Sequence, residues 1–127
     1  MMSKYVKIKL EFPIHSSVSI LYNRISTPGG LNEWFANSVT VKDDIYMFKW
    51  RDNIQTARLL LNKQNRFVRF QWIEMPEDLY FEMRIDTDEI TGDVALVITD
   101  YLEQNDLDEG KLVWNNQVEN LKHIIGS

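Results

Sequence analysis

The histidines and one acidic segment are the first residues to consider for catalysis or metal binding, because imidazole and carboxylate groups serve as acids, bases and ligands. His15 and His123 are the only histidines, and their separation is not that of a metal-binding pair. The segment DTDEITGD begins at Asp86, but a calcium loop starting there would need Gly at its sixth place and Glu at its twelfth. The chain has Thr91 and Val97 there. We predict no catalytic residue, metal site or cofactor, and interpret the acidic segment as a hairpin turn.

The remaining motifs of catalysis are also missing from the sequence. There is no Gly-rich phosphate loop, no Gly-x-Ser-x-Gly elbow and no His-Glu-x-x-His. The chain has no Cys, which excludes disulfides, thiol nucleophiles and Cys-ligated zinc. No His, Lys or Asp is clearly placed on the inward side of a predicted strand. We therefore do not expect an enzyme, and a hydrolase or cyclase remains only an alternative.

Large aromatic side chains are the most distinctive residues, with four Trp, five Tyr and six Phe. Such side chains either fill a core or line an apolar cavity, and the sequence leaves both interpretations open. A buried indole N–H needs an acceptor, which is easier to provide beside a wet or ligand-filled space. The predicted inward-facing set is Phe48, Trp50, Phe70, Trp72, Phe81, Met83 and Trp114.

These residues lie on elements that hydropathy patterns predict. Apolar residues alternate from Tyr5 to Phe12, which indicates a half-buried strand. A helix capped by Ser16 or Ser17 follows it, and Thr27 is the predicted N-cap of a second short helix with Pro28 at its first position. The period of two then returns, with turns at Asp43-Asp44, NKQN, MPED and DEITG. The predicted later strands are Ser38 to Lys42, Tyr46 to Trp50, Thr56 to Leu61, Phe67 to Glu74, Leu79 to Thr87 and Asp93 to Glu103.

The last segment predicts one long helix. Asp106 and Glu109 have capping-box spacing, and Gly126 is a stop signal. An apolar stripe includes Trp114, Val118 and Leu121. Gln117 lies beside this stripe and points either to water at its edge or into a cavity, where it would orient a ligand. Because the sheet is apolar on one face and polar on the other, this helix is expected to cover the apolar face.

Composition limits the partners. The net charge of −5 and pI near 5.0 argue against nucleic-acid binding, which needs a basic surface. The first residues, MMSKYVKIKL, do not resemble a signal peptide, and the longest apolar run is Val94 to Ile98. We therefore predict a cytoplasmic protein without membrane insertion. Its 127 residues suit a single domain spanning 1–127, and an open sheet edge would allow a monomer or a weak homodimer.

The stretch TPGGLNEWF, from Thr27 to Phe35, raises its own question because two glycines weaken a first helical turn. They would let the backbone approach the sheet or the last helix closely, and would leave free N–H groups at an opening to hold an anion such as a fatty-acid carboxylate. The alternative is a tight turn between helices. Trp34 and Phe35 are not both expected to face fully inward, and Trp34 is assigned to the core or cavity mouth.

The chain resembles the START-like superfamily, also called the helix-grip or birch-pollen-allergen-like fold. Three features carry the resemblance: this stretch, the order of elements, and the pattern Trp114-x-x-x-Val118-x-x-Leu121-Lys122. The chain looks most similar to small bacterial members related to the C-terminal domain of chaperone-ATPase activators. The resemblance implies an α+β fold in which a curved antiparallel sheet of about six strands grips a long C-terminal helix. Two short helices follow the first strand and close one end of a cavity. Relatives bind lipids, sterols, polyketides or hormones there, and others catalyse reactions or bind protein clients.

Two hypotheses follow from this resemblance together with the aromatic face. The first is binding of a small hydrophobic or amphipathic molecule, lipid-like or aromatic, between sheet and helix. The second is a protein-interaction module with a packed core and no ligand, whose contacts would include Tyr5, Tyr80 and Arg84. The ligand-binding residues predicted under the first are Trp34, Phe48, Trp50, Phe70, Trp72, Phe81, Met83, Trp114, Gln117, Val118 and Leu121.

Overall fold

The structure is a computed structural model that describes residues 4–76 and 78–127. Seven strands and three α-helices follow one another in the order predicted, with a 3₁₀ turn at Gln104–Asp106 before the last helix. The elements are β1 (Tyr5–Ile14), α1 (Val18–Ser26), α2 (Pro28–Trp34), β2 (Ser38–Lys42), β3 (Ile45–Trp50), β4 (Asn53–Lys63), β5 (Phe67–Trp72), β6 (Phe81–Thr87), β7 (Val94–Glu103) and α3 (Leu107–Ile125).

The strands form one curved antiparallel sheet in the order β1-β7-β6-β5-β4-β3-β2. The α+β helix-grip fold is confirmed, with seven strands where about six are expected. Strands β2 and β3 are separate because Asp43 and Asp44 form a two-residue turn in which Lys42 pairs with Ile45. Asp43 adopts a φ of 57°, which short hairpin turns require. The first and last strands, β1 and β7, lie side by side along their full lengths.

The starts of α1 and α2 are set by side-chain caps. Ser17 Oγ accepts from the Ile20 N–H, and Thr27 Oγ1 accepts from the Gly30 N–H, with Pro28 at the first helical position. A Cβ on Gly30 would lie 2.3 Å from the Asn23 carbonyl oxygen, so this glycine is needed where α2 approaches α1. The close approach is therefore to α1, and not to the sheet or α3. The Gly30 N–H is also already bonded, which removes it as an anion-binding group.

Helix α3 ends where the sequence predicts but begins differently. Its C-cap Gly126 has a φ of 74°, so the predicted stop is confirmed. At its start Asp106 is the N-cap residue but makes no side-chain capping bond, and the predicted capping box is wrong. The 3₁₀ turn that contains Asp106 gives this residue a ψ of 15°, outside the extended conformation of a helix cap.

The apolar face of the sheet packs against all three helices to form one core. Alternate residues of each strand point into it, as the period of two predicts. Trp34 and Phe35 are both buried, so the expectation that they do not both face fully inward is wrong. They differ in direction: Trp34 donates its indole N–H to the Arg24 carbonyl of α1, whereas the Phe35 ring packs on Phe48 and Phe81.

The other face of the sheet is polar, as predicted, and its centre holds a buried carboxylate. Glu82 accepts from Arg69 Nη2 at 2.8 Å and from Arg84 Nε at 3.1 Å. The Arg69 guanidinium also lies 4.3 Å from the centroid of the Tyr80 ring, and Tyr80 packs edge-on against Tyr101. Arginine side chains therefore cover Glu82, and its burial does not leave it unpaired.

Strands β5 and β6 stop pairing before the connection that joins them, which leaves one end of the sheet open. Strand β5 ends at Trp72 and β6 starts at Phe81, two residues inside the predicted boundaries on each side. The Met75 N–H bonds to the Trp72 carbonyl and the Leu79 N–H to the Pro76 carbonyl, so the connection uses its backbone groups in turns and does not extend the ladder. Glu77 of the predicted MPED turn lies outside the described residues. Among the described residues, the ladder between β6 and β7 therefore ends at the pair Glu82–Thr99, and Asp100 of β7 faces an opening.

Candidate functional site

A cleft of about 530 Å³ opens where the end of the sheet meets α3. Its aromatic walls come from three Trp residues and from Phe35, which follows α2 directly. Among the described residues, neutral amides supply most of its polar side chains, and Asp100 is the single carboxylate. The lining residues are Phe35, Trp50, Asn53, Gln55, Trp72, Asp100, Leu102, Gly110, Val113, Trp114, Asn116 and Gln117.

Asp100 is the carboxylate, and it is only 8% exposed. Its Oδ2 accepts from Trp114 Nε1–H at 2.9 Å, and its Oδ1 accepts from the Tyr101 N–H at 2.8 Å. Burial raises the pKa of Asp100 to about 6, because loss of water outweighs the two hydrogen bonds, which lower it. The group is thus an ionised acceptor at neutral pH that protonates in mildly acidic solution.

The expectation that no Asp faces inward is therefore wrong. Asp100 lies on β7 on the same face as Leu96, Ile98 and Leu102, and across the ladder from Ile8 of β1. The period of two in the sequence already places Asp100 on this face. However, the apolar run that precedes Asp100 suggests that the buried part of the strand ends before this residue. The indole N–H of Trp114, from a different element, satisfies one oxygen of this inward carboxylate, and the Tyr101 N–H satisfies the other.

A second set of hydrogen bonds, centred on the Phe35 carbonyl, positions the side of the cleft that Phe35, Trp50 and Gln117 form. The Phe35 carbonyl accepts from Trp50 Nε1–H at 2.7 Å and from Gln117 Nε2–H at 2.9 Å. One oxygen thus joins the end of α2 to β3 and to α3. Gln117 lines the cleft with its amide already engaged, so it turns toward the cavity side of the stripe and not to water.

The predicted ligand-binding residues divide into three groups. Trp50, Trp72, Trp114 and Gln117 line the cleft. Trp34 packs against α1, away from the cleft. The remaining predicted residues are at most 1% exposed and fill the core beneath it: Phe48, Phe70, Phe81, Met83, Val118 and Leu121.

The core beneath the cleft is packed by direct ring contacts. The Phe81 ring stacks on Trp72 at 4.8 Å and on Phe70 at 5.1 Å between centroids. Phe35 fills the space above them, 5.7 Å from both Phe81 and Trp114. Sequence reasoning did not place Phe35 in the binding set, because its neighbour Trp34 matched the helical stripe equally well. The space available to a ligand lies at the end of the sheet and not along the whole of α3.

Comparison with known proteins shows the family to which this chain belongs. The sequence matches the START-like superfamily domain over residues 2–127. The chain belongs to the START-like superfamily. A solved solution structure from Bacteroides fragilis is 36% identical to it, with a TM-score of 0.65, and the alignment covers 97% of this chain and 92% of that one.

More distant solved structures share the fold. The Aha1 dimer from Colwellia psychrerythraea has a TM-score of 0.81 at 19% identity, covering 94% of this chain and 96% of that one. The Bacillus halodurans protein BH1534 has a TM-score of 0.76 at 14% identity, covering 98% and 99%. The resemblance to the superfamily and to chaperone-ATPase activators is thereby confirmed at the level of fold.

Two further findings concern curated proteins and the length of the helices. No curated protein matches the sequence. Among residues 4–76 and 78–127, none of the helices combines the length and the apolar character needed to cross a bilayer.

Proposed function

We propose that this START-like domain binds a small amphipathic molecule in the cleft between the end of the sheet and α3. The observation that carries the proposal is a cavity of about 530 Å³ with indole walls and one buried carboxylate. Ligand sites in proteins typically have about 300–1,000 Å³ and a few polar groups in an apolar lining. Apolar burial against the rings would supply affinity, and the amides and Asp100 would supply orientation.

Native mass spectrometry of the purified protein, followed by extraction and identification of bound molecules, tests this proposal. We expect a stoichiometric small molecule that is lost on denaturation. Val113→Trp should abolish its retention because Val113 lines the cleft and is half exposed, so a larger ring would occupy the opening without disturbing the core.

Leu112→Trp is the matched control. Leu112 is the neighbouring residue of α3, is similarly exposed and does not line the cleft. It should retain the ligand. A clean apo mass, together with no thermal shift from panels of amines, fatty acids, sterols and aromatic metabolites, would contradict the proposal.

The second candidate is a protein-interaction module, and the outer face of the sheet favours it. Arg69, Tyr80, Arg84 and Tyr101 are partly exposed and are ordered by their contacts with Glu82 and with each other. A defined partner should co-purify with wild type and Val113→Trp but be lost with Tyr80→Ser. Loss with Val113→Trp alone would instead direct attention to the cleft. Light scattering of the same samples tests the predicted monomer or weak homodimer.

A further inference from the structure

Asp100 has unused hydrogen-bonding capacity directed at the cleft. An ionised carboxylate offers about four acceptor positions, and the protein fills one on each oxygen, from Tyr101 and Trp114. Within residues 4–76 and 78–127, no Lys, Arg or His forms an ion pair with Asp100. A buried carboxylate without a cation is costly, and a positively charged partner would remove much of that cost.

The rings around this carboxylate also favour positive charge. Trp50 and Trp72 lie 6.3 Å apart between centroids with their planes inclined by 55°, and both border the cleft. Phe35 lies 5.5 Å from Trp50 and 5.7 Å from Trp114, which closes the aromatic wall. The face of an indole ring attracts cations, and several such rings around one space form an aromatic cage.

The remaining cleft residues neither supply nor repel a cation. Among the described residues that line it, the polar side chains other than Asp100 are the neutral amides Asn53, Gln55, Asn116 and Gln117. None of these described lining residues is a Lys, Arg or His. A carboxylate ligand such as a fatty acid would meet Asp100 without a compensating cation, so the cleft disfavours the anionic ligand that the two glycines first suggest.

We propose that the ligand of this cleft is an organic cation, a protonated amine on an aromatic or apolar body, with its ammonium group on Asp100 and its body against the indole rings. This inference rests on the proposed function and names the ligand class for the same site. It predicts selectivity between ligands of equal shape and different charge.

The surroundings of Asp100 define the pH at which that selectivity is present. On the cleft side, the residues around Asp100 carry no titratable group: they are Trp114 and Gly110 of α3, Ile8 of β1 and Trp72 of β5. An adjoining pocket of about 270 Å³ also borders Asp100, and its lining includes two titratable residues, Glu74 and Tyr101. Since the pKa of Asp100 is raised to about 6, the carboxylate is ionised at neutral pH and becomes neutral below that value. Amine selectivity should therefore weaken as the pH falls through 6.

Three probes that share an indole ring with a short side chain test the inference: tryptamine and 3-propylindole, which match in shape and are cationic and neutral at neutral pH, and the anionic, slightly longer indole-3-propionate. Calorimetry would give affinities, and the indole N–H resonances of Trp50, Trp72 and Trp114 would report binding in the cleft. Near neutral pH we expect tryptamine to bind roughly tenfold or more tightly than 3-propylindole, as a hydrogen bond to a charged group implies. Indole-3-propionate should bind weakest.

Variants separate the role of Asp100 from that of net charge. Asp100→Asn should bring the affinity ratio of tryptamine to 3-propylindole close to one. Asp86→Asn removes the same charge from an exposed residue outside the cleft and should leave the ratio unchanged. Should Asp100→Asn not fold, the fall of the wild-type ratio below about pH 6 carries the same information.

The outcomes distinguish this inference from the proposed function. Equal affinity of tryptamine and 3-propylindole, or strongest binding of indole-3-propionate, with shifts of the cleft resonances would overturn the cationic ligand and leave the binding cleft intact. The inference is also overturned if Asp86→Asn lowers the ratio as much as Asp100→Asn. No shift with any probe, combined with a clean apo mass, would overturn both.

Discussion

At the scale of single residues, Asp100 is held between two opposing effects. Two N–H groups stabilise its charged form, while removal from water destabilises it more. Its pKa is therefore raised above that of an aspartate in the unfolded chain, from 3.8 to about 6. The folded protein binds a proton at Asp100 over a pH range in which the unfolded chain has lost it.

This proton makes stability depend on pH in a defined direction. The stabilising contribution of protonated Asp100 is fully present below the unfolded pKa and is lost as the pH rises through about 6. Two units of pKa correspond to about 3 kcal/mol for a buried group. We expect the free energy of unfolding of wild type, relative to Asp100→Asn, to fall by an amount of this order between about pH 4 and pH 7.

Urea denaturation of both proteins across this range measures the difference, and contributions common to both cancel. Asp86→Asn, which removes the same charge from an exposed position, is the control and should not reproduce the change expected of Asp100→Asn. Parallel curves for wild type and Asp100→Asn would show that water reaches the carboxylate freely.

The same residues show where sequence reasoning succeeds. The period of two correctly gives the inward side of Trp50 and Trp72, because strand geometry alone decides it. Asp100 shares that period but is not recognised, since its partner Trp114 is 14 residues away on another element. A polar residue in an apolar face is interpretable only together with the group that satisfies it.

At the scale of elements, the junction of α1 and α2 explains one glycine of the pair and not the other. A Cβ on Gly30 would lie 2.3 Å from the Asn23 carbonyl oxygen and 2.7 Å from Arg24 Cα, both backbone atoms. Around Gly29 nothing lies within 4 Å of such a Cβ. The weak first helical turn is therefore explained by close helix packing at Gly30, and nothing in the structure explains Gly29.

Substituting each glycine by alanine tests this assignment. Gly30→Ala should destabilise the protein by roughly 1–3 kcal/mol, because backbone must move to admit the methyl group. Gly29→Ala should stabilise it by up to about 1 kcal/mol, since alanine is the better helix former and the site is open. Thermal and urea unfolding of the two variants should move in opposite directions. Equal effects would mean that the helices are not in close contact at Gly30.

Element boundaries were predicted best where a local bond creates them. The caps at Thr27 and Gly126 depend on neighbours within a few residues, and both are confirmed. The late start of β6 at Phe81 depends on turns around Pro76 and on how far the partner strand extends. That boundary opens the sheet beside Asp100, so the least predictable feature of the fold is the one that creates the cleft.

At the scale of the whole molecule, two buried carboxylates respond to pH in opposite senses. Burial raises the pKa of Glu82, but hydrogen bonds and charges from Arg84 and Arg69 outweigh it, so the pKa is lowered overall. Its stabilising contribution is present above the pKa of the unfolded glutamate and is lost as the pH falls below it. Asp100 destabilises the fold at neutral pH and Glu82 stabilises it, on opposite faces of one sheet.

Glu82→Gln should remove the contribution of ionised Glu82 to the free energy of unfolding. We expect roughly 1–3 kcal/mol of destabilisation at neutral pH, because two arginines lose a charged acceptor. The difference from wild type should shrink below about pH 4.5, where the unfolded glutamate is protonated. Denaturation of both proteins between about pH 3 and pH 7 measures it. Glu89→Gln, at an exposed position, is the control and should leave the profile unchanged. A constant difference at every pH would contradict the proposed ionic role.

The pairing of β1 with β7 has a consequence for how the chain folds. Tyr5 lies opposite Glu103 and Ile14 opposite Val94, so each contact in this ladder closes a loop of most of the chain. Such non-local contacts slow folding, because loop entropy is lost before the contacts repay it. During synthesis β1 emerges long before its partner strand. Its apolar side must stay unpaired on the ribosome until β7 is exposed, which makes this interval the time of greatest exposure to aggregation or to chaperones.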